Sequence, residues 1–421
     1  TIIEGRNSRK RRRDDEEKDD GEEYMSLSSY GGKGENGVDE DDAPSLQPPW
    51  HKPRKPGASP LTVLHNEILR FCDLISPTQA EEDSRAEVVS DIRALVKKVW
   101  PEAELFVYGS TLTGLCLPSS DLDFAVLGVD EPGLKPLHTL ADKLRQSGLV
   151  NFLEVIDSAK VPIIKVIHSQ GQIAADISFN LPDGIHTGWM IRDYCEDFPL
   201  LRPLLLLLKY FLSQRELNET YPSGGVGSFL LQIMVVSFLQ HRRRSDLARG
   251  VASNYNLGAA LLDFFDLYGR KFSYPTVGIS VRGDGSYFQK HDRRWSYPGK
   301  PHLIAVENPI NDSIDIGRNA FNVVAVRRAW EHAYLVLVAA LCGPMEAFPS
   351  ILSNVIRVDQ VLIQREMPEE PRFTIKLPPP PQPRDRIGTF LKGTTAGGDD
   401  LPNSDKRGEQ KPPAQHKKRR Y

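Results

Sequence analysis

Cysteine is scarce in this chain. The four in 421 residues, Cys72, Cys116, Cys195 and Cys342, show no CxxC spacing and no neighbouring histidine cluster. That argues against a disulfide-stapled scaffold and a zinc finger, and reads instead as buried thiols in a reducing compartment. Long apolar runs are also missing: the best candidates, residues 204–208 and 226–239, are too short or too broken for the roughly 18 apolar residues of a membrane span. A soluble chain with no signal peptide and no membrane partner is expected. Net charge is nearly absent too, at -3 with 53 Lys and Arg against 56 Asp and Glu, but the two signs are segregated along the chain. The segregation carries the information.

A chain of this length can bury two or three ordinary cores without staples. Residues 1–56 begin with the basic cluster Arg9 to Arg13, pass into an acidic run, and continue through Gly, Ser, Asp and Pro. Few residues there could offset the entropy of ordering, so a disordered tail is predicted. Its RKRRR reads as a nuclear import signal or nucleic-acid arm, or more plainly as a solvated tail. The IEGR at residues 3–6 leaves open a protease-site scar.

Residues 57–84 form an N-terminal helical segment expected to pack on the central domain, with Leu61, Leu64, Ile68 and Leu69 at helical spacing. A helix over 80–99 presents Val88, Ile92, Leu95, Val96 and Val99, and Pro101 ends it. Strands are predicted at 104–108, 122–127, 152–156, 163–168 and 173–179, with a helix at 138–147. Longer helical patterns follow at 187–194, 199–214, 227–240, 256–268 and 320–341. The organisation is a small mixed α/β domain over 85–182, a helical central domain over 183–350, a C-terminal extension over 351–367, and a disordered Pro-rich and then basic tail over 368–421.

The chemistry concentrates in FVYGSTLTGLCLPSSDLDFAVLG, residues 106–128. Residues two apart on a strand share a face, so Asp121 and Asp123 form a pair while Leu122 and Phe124 face the core. Adjacent carboxylates raise each other's pKa unless a cation neutralises them, and Mg²⁺ prefers oxygen ligands while keeping water and phosphates. Two ordinary acids at an exposed strand end is the plainer reading, and context argues against it. Gly109 permits close backbone approach, and Ser110 with the amides of the short helix after it suits an anion. Asp176, inside the otherwise apolar 173–179, needs a partner. Were its strand to lie beside that of Asp121, three carboxylates would converge next to a phosphate site, as two-metal phosphoryl transfer requires.

GS-x10-DLD with a later strand aspartate resembles the DNA-polymerase-β-like nucleotidyltransferases. VPIIKV (161–166), YPSGGVGSFLLQIM (221–234) and VENPINDSIDIGRNAF (306–321) are similar to the nuclear poly(A) polymerases of the TRAMP complex. The resemblance spans about 48–345 and covers neither tail. It implies an α+β fold, with a polymerase-β-like mixed-sheet catalytic domain and a helical central domain. Gly109 and Ser110 would hold the ATP β- and γ-phosphates. Asp121 and Asp123 would bind both of two Mg²⁺ or Mn²⁺ ions, and Asp176 would bind the catalytic one and help deprotonate the RNA 3′-hydroxyl. Lys209 would reach the triphosphate, unless it is a lysine snorkelling from a buried helix. Asn180 and Ser228 would contact ribose and phosphates, and Phe229 would stack on the base, unless it is core. Base choice would fall to residues 307–318, with Asn308, Asn311 and Arg318 as polar contributors, although asparagines also build turns. Uridylyl-adding relatives carry a histidine shortly before the Gly-Arg; here Ser313, Ile314 and Asp315 precede Gly317 and Arg318, which favours ATP.

Two basic stretches could track RNA, residues 241–244 and the stretch holding Lys290, Arg293, Arg294, Trp295, Tyr297 and Lys300, or each could be a solvated face. No RRM, KH or zinc-knuckle pattern is present. The resemblance implies a zinc-knuckle RNA-binding protein on the central domain, an RNA helicase, a link to the nuclear exosome, and a nuclear location. The alternatives are a uridylyltransferase or small-molecule nucleotidyltransferase, a catalytically dead scaffold, and a DNA-repair polymerase.

Overall fold

A computed structural model describes residues 47–54, 57–221, 223–250, 255–344 and 349–377. The basic cluster at 9–13, the acidic run and the end of the Pro-rich tail lie outside the described residues. Helix α1 (Pro60–Ile75) begins where a cap is available: Ser59 accepts from Thr62 N and proline fills the first turn. Helix α2 (Gln79–Val99) starts with a capping box between Thr78 and Glu81. The chain then weaves β1 (Glu104–Tyr108), a one-turn α3 (Gly109–Thr113), β2 (Leu122–Leu127), α4 (Lys135–Ser147), β3 (Val150–Ile156), β4 (Ile163–His168) and β5 (Ala174–Phe179).

These strands form one mixed sheet in the order β1-β2-β5-β4-β3, parallel between β2 and β5 and antiparallel elsewhere. The alternation legible in the sequence decides what the sheet buries. Leu122, Phe124, Val126, Ala175 and Ile177 pack with Val88, Ile92 and Val96 of α2 and Leu137, Leu140 and Leu144 of α4, which leaves the other face for polar residues.

A second core is built from α1 and the helices α5 (Asp183–Asp197), α6 (Leu201–Ser213), α7 (Ser228–Ala248), α8 (Leu257–Asp266) and α9 (Val323–Cys342). Inserted before α9 is a small sheet that the sequence reading did not predict, with β6 (Val277–Ser280) between β7 (Ser286–Gln289) and β8 (Ala305–Val306). Strands of four residues or fewer are too short to show a period. Both cores belong to one compact unit. Among the described residues no helix is long and apolar enough to cross a membrane.

Two expected boundaries and one burial class are corrected. Order begins before residue 57, because Trp50 is fully buried, meets Phe71 edge-on at 5.3 Å, and donates from Nε1 to Ser350 Oγ at 3.1 Å. The prolines around it hid an anchor that only a tertiary partner reveals. Order also continues past 367: Asp73 accepts from the amides of Arg372 and Phe373 at 2.9 and 3.0 Å, and His65 pairs with Ile375 O at 3.1 Å. Arg365 helps seat this strap. It donates to Leu74 O and Ser76 O and forks onto Glu81, whose pKa is drawn down to about 2 by that guanidinium. Of the cysteines, Cys72 and Cys116 are buried, but Cys195 is half-buried and Cys342 exposed, and all four are free.

Trp50→Ala is expected to destabilise the chain by about 3–5 kcal/mol, as a cavity at a fully buried aromatic does. Ser350→Ala should cost about 1 kcal/mol. Denaturant melts of the full chain check both, and a loss under 1 kcal/mol for Trp50→Ala would show the segment to be an appendage.

Candidate active site

At the end of β1 the chain turns straight into α3. Strand β2, arriving antiparallel, sets Asp123 opposite Tyr108, and β5, arriving parallel, sets Asp176 opposite Asp123. Asp121, two residues before Asp123, precedes the strand on the same side, so the three carboxylates predicted to converge are neighbours. Gly109 closes the arrangement. Its φ is 64°, and a Cβ built on it would lie 2.8 Å from Asp123 Cγ and overlap Oδ2. Only glycine meets both demands. Arg85 of α2 donates from Nη2 to Ser120 O and so fixes the loop that delivers Asp121. The sequence reading missed it, because α2 showed only its apolar stripe.

Burial raises Asp123 to about 6, with Asp176 and Asp121 adding to the rise and Lys209 opposing it. Asp176 is raised by burial and, less, by Asp121, against Lys165, whose Nζ lies 4.0 Å from Oδ1. Clustered hard oxygens that repel one another when ionised suit Mg²⁺ or Mn²⁺, whose shell also takes water and phosphate oxygens. On donor chemistry and charge the residues fit such ions. Among the described residues, no group of three or more His, Cys, Asp or Glu side chains is set to hold a metal ion, so the fit is one of donor chemistry and charge and not of a preformed cage.

A cleft of about 640 Å³ opens in front of Asp121 and Asp123, while Asp176 stands opposite Asp123 on β5 and is not part of its lining. Gly109, Ser110, Asp121 and Asp123 line it on the sheet side, and Lys209, Ser228, Phe229 and Gln232 on the helical side. Helix α5 can come close because Gly184 and Gly188 carry no side chain: added Cβ atoms would sit 2.7 Å from Tyr108 and 2.6 Å from Leu112. Lys209 does not snorkel outward. It is 8% exposed, lines the cleft, and donates from Nζ to Leu115 O at 2.7 Å. Burial lowers its pKa to about 8, against the pull of Cys116 and Asp123. Ser110 Oγ accepts from Cys116 Sγ at 3.5 Å. Phe229 is half-buried against the helical core and also lines the cleft.

Other expected residues stand elsewhere. Asn180 does not line the cleft. Its φ is 52°, and its carboxamide is engaged with Val129, donating to O at 2.9 Å and accepting from N at 3.4 Å. Asn308 accepts from Ile310 N at 2.9 Å, and Asn311 accepts from Ser313 N at 3.1 Å, both as turn builders. Arg318 is exposed, 6.0 Å from the Tyr297 ring, and none of these loop residues lines the cleft.

The proposed RNA track is corrected most. Lys290 is fully buried and donates to Tyr274 O, Pro301 O and Leu303 O at 3.0, 3.2 and 2.8 Å. Arg293 pairs with buried Glu307 and lies 4.1 Å over the Phe288 ring, which Trp295 meets edge-on at 5.5 Å. Much of the stretch is an internal brace, with Arg294 and Lys300 exposed. In the other stretch, Arg242 pairs with Asp263 and Arg243 lies 4.7 Å over Phe198.

Residues 64–196 match the family description "Poly(A) RNA polymerase, mitochondrial-like, central palm domain", and residues 256–313 match "Cid1 family poly A polymerase". Poly(A) RNA polymerase cid14 of Schizosaccharomyces pombe is 35% identical over 327 residues, 74% of this chain and 47% of cid14. This chain therefore spans about half the length of that relative, and 36% of Cryptococcus neoformans CID14, to which it is 38% identical over 66% of its own length. Trf4-2 of Drosophila melanogaster, an inactive poly(A) RNA polymerase, is 35% identical over 75% of this chain and 79% of its own. The solved polymerase core of TRAMP, an RNA surveillance complex, superposes with a TM-score of 0.65 at 34% identity, over 71% of this chain and 95% of that one. Cid1 poly(U) polymerase shares the fold, with a TM-score of 0.56 at 23% identity, over 65% of this chain and 94% of its own. Sequence and fold together place the chain in the poly(A) RNA polymerase family that includes Trf4-2 and the TRAMP polymerase core.

Proposed function

We propose that this protein adds AMP from ATP to RNA 3′ ends without a template. The observation that carries the reading is the pairing of Asp176 with Asp123 in the sheet, next to Asp121, with Gly109, Ser110 and Lys209 beside Asp121 and Asp123 in the cleft. Two Mg²⁺ or Mn²⁺ ions, held by Asp121 and Asp123 with Asp176 on one of them, would activate the attacking hydroxyl and neutralise the phosphates. The chain's own residues do the rest. Gly109 leaves room for the phosphate chain, Ser110 and Lys209 hold it, Ser228 supports it from α7, and Phe229 offers its ring to the base. Asp176 helps take the proton of the RNA 3′-hydroxyl as that oxygen bonds to the ATP α-phosphorus and pyrophosphate leaves.

Family membership alone does not decide activity, since one relative is inactive; the complete carboxylate set favours an active enzyme over a scaffold. ATP is favoured over UTP because uridylyl-adding relatives carry a histidine shortly before the Gly-Arg, whereas Gly317 and Arg318 here follow Ser313, Ile314 and Asp315. Asp315 Oδ1 is committed to Val306 N and Gly317 N, both at 2.9 Å. With Lys290 and Arg293 turned inward, RNA grip would come from a partner. A zinc-knuckle RNA-binding protein on the central domain, an RNA helicase, a nuclear location and a link to the exosome complete the reading, supported by likeness to the core of a complex concerned with RNA surveillance.

The test is extension of a labelled RNA by the purified chain, with and without the zinc-knuckle partner, given each NTP in turn. ATP is expected to be used about tenfold better than UTP or more, the discrimination one or two polar contacts supply. Preferential extension with UTP would overturn the base assignment.

A further inference from the structure

Gln232 stands on α7 one turn beyond Ser228 and three residues beyond Phe229, on the helix face that lines the cleft. It is 8% exposed, and its carboxamide has no hydrogen-bond partner among the described residues. Gln240, two turns further along the same helix and more deeply buried, spends its donors within the chain: Nε2 donates to Val281 O and Gly283 O at 3.0 and 3.2 Å, while its Oε1 has no partner among the described residues. With the residue largely buried and its amide turned to the cleft, Gln232 is free to meet a ligand, and the neighbouring Leu230, Leu231, Ile233 and Met234 show what the helix otherwise places there.

Three polar side chains lining the cleft are at least nine-tenths buried: Thr113, Lys209 and Gln232. The Thr113 hydroxyl is taken by Gly109 O and Ser110 O. Lys209 has one donor on Leu115 O and two more to give. Gln232 has both of its own. The deep wall of the cleft therefore offers hydrogen-bond donors beside one positive charge, which suits an acceptor that is anionic and has no hydrogens of its own.

We propose that Gln232 binds the β- or γ-phosphate of the incoming nucleotide, donating from Nε2 to a non-bridging oxygen alongside Lys209. The proposal rests on the ATP-dependent reading above. Its test uses the full chain as wild type, Gln232→Leu, Gln232→Met and Gln232→Glu. The readouts are equilibrium binding of a non-hydrolysable ATP analogue, binding of AMP, and thermal melting.

The leucine and methionine variants should melt close to the wild-type temperature, because the amide makes no hydrogen bond with the described residues. They should bind the ATP analogue about tenfold more weakly, as loss of one charge-assisted hydrogen bond predicts, with AMP binding unchanged. Gln232→Glu should lose more, because its carboxylate repels the phosphates. Wild-type affinity for the analogue in the leucine and methionine variants would overturn the proposal alone, as would an equal loss for AMP. A wild-type chain that binds neither nucleotide would overturn the ATP-dependent reading and this inference together.

Discussion

Asp123→Asn is expected to abolish nucleotide addition while making the metal-free protein more stable at neutral pH. Asp123 is raised from the ordinary 3.8 to about 6 in the folded chain, chiefly by burial and then by Asp176 and Asp121. For an acid raised in this way, the stabilising contribution is complete below the unfolded pKa and is lost as pH rises through the folded one. Without a divalent ion the folded protein should therefore weaken between about pH 4 and pH 6, and above that range carry a buried, repelled carboxylate at a cost of at most about 3 kcal/mol. Asparagine has the same shape and no charge. In EDTA, the wild-type melting temperature should fall between pH 5 and pH 8, whereas that of Asp123→Asn should stay level and be the higher of the two at pH 8. RNA extension should drop about a thousandfold or more, the scale on which removing preorganised electrostatic stabilisation acts. A carboxylate with a purely structural role predicts the reverse stability change, so a variant that melts lower at pH 8, or one that keeps a tenth of its activity, sinks the assignment.

The part of the site that was legible in the sequence is the part encoded by short-range pattern. The period of two along residues 122–127 fixes which face of β2 is apolar, so once Leu122 and Phe124 are assigned to the core, Asp123 can only face the cleft. Asp176 was legible as an acid in an apolar strand, but its place opposite Asp123 depended on the order of strands, and the parallel β2 and β5 pair is made by segments some fifty residues apart. The residues read wrongly were those whose meaning is set by a distant partner. Lys290, Arg293 and Trp295 look like a basic and aromatic RNA surface when counted along the chain. Three carbonyls, Glu307 and Phe288 turn them inward instead. Trp50 and the segment after 367 look like tail because proline and charge surround them; Ser350 is 300 residues from Trp50, Asp73 is 299 from Arg372, and Phe71, although nearer, meets Trp50 only once α1 is formed. Gln232 is illegible in the sequence for a related reason, since a single glutamine in an apolar helix shows neither its burial nor its place on the cleft until the cleft is formed.

The loop carrying Asn308 and Asn311 follows from the same brace. Glu307 is buried at 1% exposure and receives Arg282 Nε at 2.8 Å as well as Arg293. A buried carboxylate between two guanidiniums fixes where the loop departs, while the asparagines shape it by accepting from amides two or three residues on. Specificity in this region would then come from where the loop is held, with its asparagines already committed to its own backbone.

Gly109→Ala should be nearly as damaging as loss of a carboxylate, although it adds a single methyl group far smaller than any substrate. Two independent terms act at that position. A left-handed φ of 64° costs alanine about 1 kcal/mol that glycine does not bear. The added Cβ would also overlap Asp123 Oδ2 and lie 2.8 Å from Cγ. The backbone cannot retreat easily, because Tyr108, the preceding residue, is registered against Asp123 in the β1 and β2 ladder. The side chain that yields is therefore Asp123 itself, which swings away from Asp121 and Asp176. Extension activity should fall about a hundredfold or more, as displacement of a reacting group by about an ångström does. The melting temperature should drop only by the few degrees that about 1–2 kcal/mol represents. Gly114→Ala serves as the comparison. It too has a left-handed φ, of 66°, but its Cβ would meet the flexible end of Arg202 at 3.1 Å, so it should show the stability loss without the collapse in activity. Equal activity losses in the two variants would mean that backbone strain, and not displacement of Asp123, is what the position reports.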